Sequence, residues 1–293
     1  MVILMTYNNQ LEGLILAAGN SSRFKFIDGR FKKYFLKLGN SNILGYIISG
    51  MIETGITKIK IVTSRLINNI KYRKMVLKSI ARSWIGLGNL DLEIIENKFP
   101  ERENGYSLLL GLNKISSEYT ILSMSDHIFS ENIFNKIIKS YKKKRDILLA
   151  TDPMYKKGYY DINDATKVFG KNNSILKIRK NLTKYNRLDM GVFILKTEVI
   201  KKICKKVESH FNKFSVTDIV LSALDSDLDV GYYDFSDIIW LDIDNFKNYH
   251  QLKKLFNISS NICPFGLNPT GSDEKSKYNE KIEFKKKKIL KIN

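Results

Sequence analysis

The sequence predicts an α/β fold with a mixed, mainly parallel central sheet, and three observations carry that reading. Short apolar runs alternate with segments of helical spacing from Gly13 to Ala150, the pattern of strands joined by crossover helices. The first strand runs into a small-residue turn, Ala17-Ala18-Gly19, of the kind that lets a backbone approach a ligand closely. The chain has 293 residues, 43% of them hydrophobic, which is enough for one large core or a domain with an appendage.

The elements follow in order. Gly13–Ala18 reads as a strand, followed by a loop rich in Gly, Asn and Ser. Ile43–Thr54 has helical spacing and stops at Gly55, and Lys58–Thr63 alternates as a strand. A basic helix is expected over Leu66–Ser83, a strand over Leu90–Ile95 and a helix over Tyr106–Ile115. Tyr119–Met124 and Asp146–Ala150 read as buried strands on either side of a helix over Ile133–Lys142. The second half is less regular. Lys167–Phe169 and Ile175–Ile178 suggest a hairpin turning at Asn172-Asn173. Met190–Leu195 reads as a strand, Val199–Glu208 and Thr217–Leu224 as helices, and Val230–Tyr233 and Ile238–Leu241 as short strands. A last helix over Phe246–Phe256 closes the folded unit, giving a domain over 1–256 and a basic tail over 257–293.

The net charge of +19 is spread along the chain and densest in the tail, where eight lysines fall between Lys275 and Lys291. Nucleic-acid binding is not expected, because no binding motif or aromatic stacking pattern accompanies the charge. No apolar run approaches the roughly 18 residues of a membrane span. The N-terminus has no basic segment and no cleavage signal, so the expected location is the cytoplasm. Cys204 and Cys263 have no partner motif, and three histidines do not make a zinc site.

Three clusters carry chemistry. In the first, the turn Ala17-Ala18-Gly19 leads to Arg23 and then Lys33, two cations suited to phosphate oxygens. A plain strand–loop–helix corner with surface cations is the alternative. In the second, Asp126 sits at the C-terminal end of a buried strand, where open sheets gather ligands, although it could equally cap a helix. In the third, Asp242 and Asp244 are spaced to share one face of a strand, a pairing that a cation relieves. Asp244 could instead cap the last helix. Together these are the parts for moving a nucleotidyl or phosphoryl group with magnesium.

The segments Leu16-Ala17-Ala18-Gly19-x-Ser21-x-Arg23 and Lys33 resemble the signature of the sugar-1-phosphate nucleotidyltransferase superfamily. The resemblance is closer to the archaeal CTP:inositol-1-phosphate cytidylyltransferases. It rests on Pro100 to Leu108, Met124 to His127, Asp161 to Lys167, Lys177 to Leu182, Asp189 to Leu195 and Trp240 to Asp244. It departs where Glu103 and Ser125 replace glycine, Lys32 replaces proline and Asn245 replaces threonine. The lysine pair leaves open whether Lys32 or Lys33 is the signature residue.

The resemblance implies a three-layer Rossmann-like nucleotidyltransferase fold and a reaction joining CTP and inositol 1-phosphate to CDP-inositol and pyrophosphate. Ala17, Ala18 and Gly19 would line the nucleotide, and Asn104 and Gly105 would read its base. Arg23 and Lys33 would hold the triphosphate. Asp126 and Asp244, with Asp242 as a further candidate, would bind Mg²⁺. Lys180 would meet the acceptor phosphate, and Asp161 and Asp189 the inositol hydroxyls. In many relatives such a domain is fused to a membrane-embedded CDP-alcohol phosphotransferase. No spanning helix follows residue 256, so a separate membrane enzyme is the expected partner. The lysine-rich tail would either touch an anionic membrane surface or serve as a solubilising end. Another phosphate ester as acceptor, or a non-catalytic regulatory subunit with the same fold, are the competing readings.

Overall fold

A computed structural model of the chain describes residues 10–19, 32–38, 41–64, 74, 90–141, 145–153 and 161–258. Most of the helix expected over Leu66–Ser83, the loop carrying Arg23 and the tail beyond residue 258 lie outside them.

Strand β1, Leu11–Ala17, is buried along its whole length. That is why it reads as a continuous apolar run rather than an alternation. Its one acid, Glu12, is satisfied by the Ser116 and Ser117 backbone N–H groups and the Ser116 hydroxyl. The short strands β2 (Lys37–Leu38) and β3 (Ser41–Asn42) form their own antiparallel pair. Parallel strands β4 (Lys58–Ser64), β5 (Asp91–Asn97) and β6 (Tyr119–Met124) complete the first half of the sheet with β1. After the short β7 (His127–Phe129) come β8 (Ile147–Asp152), β9 (Lys167–Lys171), β10 (Ser174–Arg179), β11 (Arg187–Lys196) and β12 (Val230–Asp234). The nine-stranded order is β5-β4-β1-β6-β11-β8-β12-β10-β9. Strand β11 runs antiparallel to β6 and β8, so the sheet is mixed: its first half is all parallel and its second half largely antiparallel. The β9–β10 hairpin turns at Asn172 and Asn173 as expected, both with positive φ (52° and 60°). Asparagine tolerates that region better than most residues. A small separate pair, β7 with β13 (Trp240–Asp242), stands beside the main sheet.

Helices cover both faces. On one, α1 (Ile43–Glu53) and α3 (Ile133–Ser140) bury Ile47, Met51 and Ile137 against the sheet. On the other, α2 (Glu103–Leu112), α4 (Thr197–His210) and α5 (Val216–Leu224) bury Leu109, Val207 and Val220. The last helix, α6 (Phe246–Ile258), joins the first face through Tyr249 and Leu252, and the Tyr249 hydroxyl donates to the Lys37 carbonyl at 2.6 Å. This is the three-layer arrangement expected. Helix starts follow capping chemistry: Asn42 caps α1, Asn132 caps α3, and Ser215 with Asp218 forms a capping box on α5.

The sheet's topology decides what meets at its ligand edge. The C-terminal ends of β1 and β6 lie side by side, and the start of antiparallel β11 returns to the same edge. Residues near 18, 126 and 189 are thereby neighbours in space.

Gly105 has a packing role at this edge. Its N–H donates to the Phe214 carbonyl at 3.0 Å. A Cβ there would lie 2.6 Å from that oxygen and 2.8 Å from the Ser215 carbonyl oxygen. Backbone cannot give way as a side chain can. Gly105→Ala is expected to cost about 1–3 kcal/mol, read as a lower denaturation midpoint with an unchanged m-value.

Candidate active site

Two cavities open at that edge. One, of about 310 Å³, is lined by Ala18, Gly19, Lys33, Glu103, Asn104 and Ser107, among others. The second, of about 330 Å³, is lined by Asp161, Asp164, Lys180, Asp189 and Asp242, among others. Asn104, Met124, Asp126 and Asp244 line both, so the two spaces share a wall containing two carboxylates.

The shared wall is built from three distant stretches of chain. Lys33 opens a short 3₁₀ turn, Lys33–Phe35, whose Tyr34 and Phe35 are buried in the core and hold it in place. Its ammonium lies 2.6 Å from Asp126 Oδ2 and 2.6 Å from Asp244 Oδ1. Asp126 follows β6, and its carbonyl accepts from the Ile243 N–H at 2.9 Å, which ties it to the segment bearing Asp242 and Asp244. Asn245, rather than Asp244, caps α6 by accepting from the Asn248 N–H at 2.9 Å. Asp244 is thereby left to Lys33. Lys32 is buried, and its ammonium donates to the Gly19 carbonyl at 3.2 Å, beneath the end of β1. Lys33 lines the first cavity, whereas Lys32 supports its floor.

His127 stands behind Asp126. Its Nδ1 lies 2.9 Å from Asp126 Oδ1, and its ring stacks on Trp240 with centroids 5.5 Å apart and planes 7° apart. Trp240 is fixed in turn by a 3.0 Å bond from its indole N–H to buried Asp152. Gly191, with φ at +71°, leaves room for the imidazole, since a Cβ there would sit 2.9 Å from the ring.

Charge is unevenly distributed. Burial lowers the Lys33 pKa, but the fields of Asp126, Asp242 and Asp244 outweigh it and hold the ammonium protonated. Burial raises Asp126, yet Lys33 and His127 keep it well below the usual carboxylate range. Asp242 is pushed up to about 7, by burial first and then by the Asp126 charge. Its Oδ1 is buried without a hydrogen-bond partner. Asp189 is pushed up to about 6 by burial, although it accepts a 2.7 Å bond from the Gly191 N–H. Burial alone lowers Lys32.

This donor set fits a divalent cation. Asp126, His127 and Asp242 have ligand atoms within 4.8 Å of one another, Asp242 has an orphaned oxygen, and Asp126 and Asp244 converge on a single ammonium. Clustered oxygens with room for water suit magnesium.

Of the residues singled out in the sequence, Lys33, Asp126, Asp242 and Asp244 come together, as do Ala18, Gly19 and Asn104 in the first cavity. Ala17 lies buried in β1. Asp161, Lys180 and Asp189 line the second cavity as a group. Lys180 is 62% exposed, and its ammonium pairs with Asp164 at 2.7 Å. Asp161 accepts from the Asn163 N–H at 3.1 Å, and Asn104 Oδ1 from the Val216 N–H at 2.9 Å. Sequence reasoning missed Asp164, Asp152 and the support His127 gives Asp126. A histidine directly after a strand-end acid was a usable signal for the last. Asp152 and Asp164 find their partners 88 and 16 residues away, so a single sequence gives no sign of them.

The chain belongs to the nucleotidyl transferase family, whose model matches residues 12–257. It is 28% identical over 241 residues to a bifunctional IPC transferase and DIPP synthase of Aquifex aeolicus, covering 82% of this chain and 50% of that protein. The namesake from Thermococcus kodakarensis is 29% identical over 243 residues, covering 83% and 50%. The chain thus spans about half the length of these curated relatives. Among solved structures, the inositol-1-phosphate CTP transferase from T. maritima superposes with a TM-score of 0.71 at 24% identity, covering 85% of this chain and 96% of that one.

The His127–Asp126 pair gives stability a pH dependence. His127 is raised from 6.5 to about 9, because its bond to Asp126 and the Asp242 and Asp189 charges overcome burial. The folded state therefore holds this proton more tightly than the unfolded state. The stabilisation is complete below about pH 6.5 and lost as pH rises through about 9, on the order of 3 kcal/mol. Urea unfolding of metal-free protein at pH 6.5 and 9.5 is expected to show this loss, and His127→Phe to flatten it.

Proposed function

We propose that the chain is a cytidylyltransferase that joins CTP and inositol 1-phosphate into CDP-inositol and releases pyrophosphate. The observation that carries this reading is the shared wall: two cavities of similar size meet at Asp126 and Asp244. A donor nucleotide in one and an acceptor in the other would bring the α-phosphorus and the acceptor oxygen together there. The motifs that the sequence shares with the CTP:inositol-1-phosphate cytidylyltransferases, and the similarity to the T. maritima inositol-1-phosphate CTP transferase, support this substrate pair.

The chain's residues divide the work. Lys33 presents its ammonium to the donor cavity, and Arg23 is proposed to join it on the triphosphate. Lys180, exposed at the second cavity and paired with Asp164 at 2.7 Å, would turn to the acceptor phosphate when that anion binds. The other lining groups there include the carboxylates of Asp161, Asp164 and Asp189, which accept hydroxyl hydrogens and suit a polyol. The acceptor phosphate is an anion at neutral pH, so its oxygen attacks in line with pyrophosphate opposite and needs no general base. The barrier is the meeting of two polyanions, and preorganised cations lower it. Magnesium held by Asp126 and Asp244, with Asp242 beside them, would add Lewis-acid charge on the phosphates. We place the catalytic domain at 1–256 and the protein in the cytoplasm, with a membrane phosphotransferase activity as consumer of the product. The described residues contain no helix long and apolar enough to span a membrane.

The test is pyrophosphate release with Mg²⁺, each of the four nucleoside triphosphates, and inositol 1-phosphate, glucose 1-phosphate or phosphocholine. CTP with inositol 1-phosphate is expected to turn over and Asp126→Ala to abolish it. Lys33→Met is expected to lower kcat by about 10²–10³. Turnover of another pair would sink the substrate assignment. Folded protein that binds CTP and turns over nothing would support a regulatory subunit instead.

A further inference from the structure

We propose that the β9–β10 hairpin is a docking surface for an anionic lipid bilayer. From Ala165 to Leu188 the chain carries seven basic residues and no acidic one. Three of the seven have partners inside the fold. The Lys167 ammonium donates to the Lys180 carbonyl at 2.6 Å, Lys180 pairs with Asp164 at 2.7 Å, and Arg187 pairs with Asp234 at 2.8 Å. The other four, Lys171, Lys177, Arg179 and Lys184, are exposed and pair with no carboxylate among the described residues.

The register of the hairpin gathers these cations on one side. Residues directly opposite in an antiparallel pair share a face. Val168 lies opposite Ile178, and both are buried in the core with Ile175. Phe169 lies opposite Lys177 on the other side, and Lys171 and Arg179, each two residues along, share it. The bulge between Ile175 and Lys177 leaves Leu176 51% exposed beside these cations. The Lys184 ammonium sits over half-buried Phe169, 5.3 Å from its ring centroid. An apolar side chain projecting among unpaired cations suits a surface that is negative outside and apolar just beneath, the make-up of an anionic bilayer. A second copy of the chain would bring the same charge to this face. Nucleic acid would supply the opposite charge, but Phe169, the hairpin's one aromatic ring, is engaged by Lys184 rather than open for stacking. Thr166 and Lys180, which flank the two strands, line the second cavity. Docking through the hairpin sets that cavity beside the membrane.

The test is co-sedimentation of the full chain with phosphatidylcholine vesicles, with and without phosphatidylglycerol. It compares wild type, a triple variant (Lys171→Gln, Lys177→Gln, Arg179→Gln) and Leu176→Ser. Wild type is expected to bind only the vesicles that contain phosphatidylglycerol. Each neutralised cation is expected to weaken binding about fivefold, and the triple variant about 100-fold. Leu176→Ser is expected to weaken it severalfold. The substituted side chains are all exposed, so melting temperatures are expected to match wild type. Leu176→Trp reads the contact directly, and its emission is expected to shift blue on phosphatidylglycerol vesicles. Equal binding to both kinds of vesicle, binding to neither, or an unshifted Leu176→Trp emission overturns the inference. Wild-type affinity in the triple variant also overturns it and places any lipid contact elsewhere in the chain. So does a random-sequence oligonucleotide that binds more tightly than the vesicles and loses the same 100-fold in the triple variant. The readout uses no substrate, so it is decided independently of the proposed reaction.

Discussion

The contact on which the site depends is the ammonium of Lys33 held between Asp126 and Asp244. Three stretches of chain, one before the first helix, one after β6 and one before the last helix, are drawn to one point by two 2.6 Å ion pairs. In water such pairs contribute little, but here Lys33 is only 12% exposed and the carboxylates are partly enclosed. Leaving those acids without a cation would cost far more than the pairs gain. The site therefore requires a positive charge at that point, either its own or one brought by a ligand. The Lys33 ammonium explains how these two acids remain close together.

Around this point the fold supplies rigidity in layers. Asp126 is backed by His127, His127 by Trp240, and Trp240 by buried Asp152. The small β7–β13 pair, separate from the main sheet, carries His127 and Asp242 and sets their spacing through backbone pairing rather than side-chain contact. Gly191 and Gly105 matter for the opposite reason: each removes a side chain where a ring or a carbonyl must pass.

The sequence revealed the fold best where burial is two-sided. β1, β6 and β8 are continuous apolar runs, and α1 and its Gly55 stop stand out because capping and periodicity agree. The antiparallel second half was less legible, since β11 inserts between β6 and β8 on the strength of contacts distant in sequence. In the site, acids at strand ends could be found from position alone. Which lysine of the Lys32-Lys33 pair faces the cavity could not, because one residue of a 3₁₀ turn decides it. Asp244 could as well have been a helix cap until Asn245 was seen to fill that place. The packing role of Gly105 could not be read from the sequence, because it rests on Phe214, far along the chain.

The shared wall has a consequence for what the protein holds most firmly. In the proposed reaction each substrate fills one cavity, pyrophosphate leaves from one, and the newly joined product lies across both. The product is thus tethered by two linked footholds, and releasing one half leaves the other at high local concentration. A chain built this way would retain what it makes, and the throughput of the proposed reaction would then follow how quickly the product is removed.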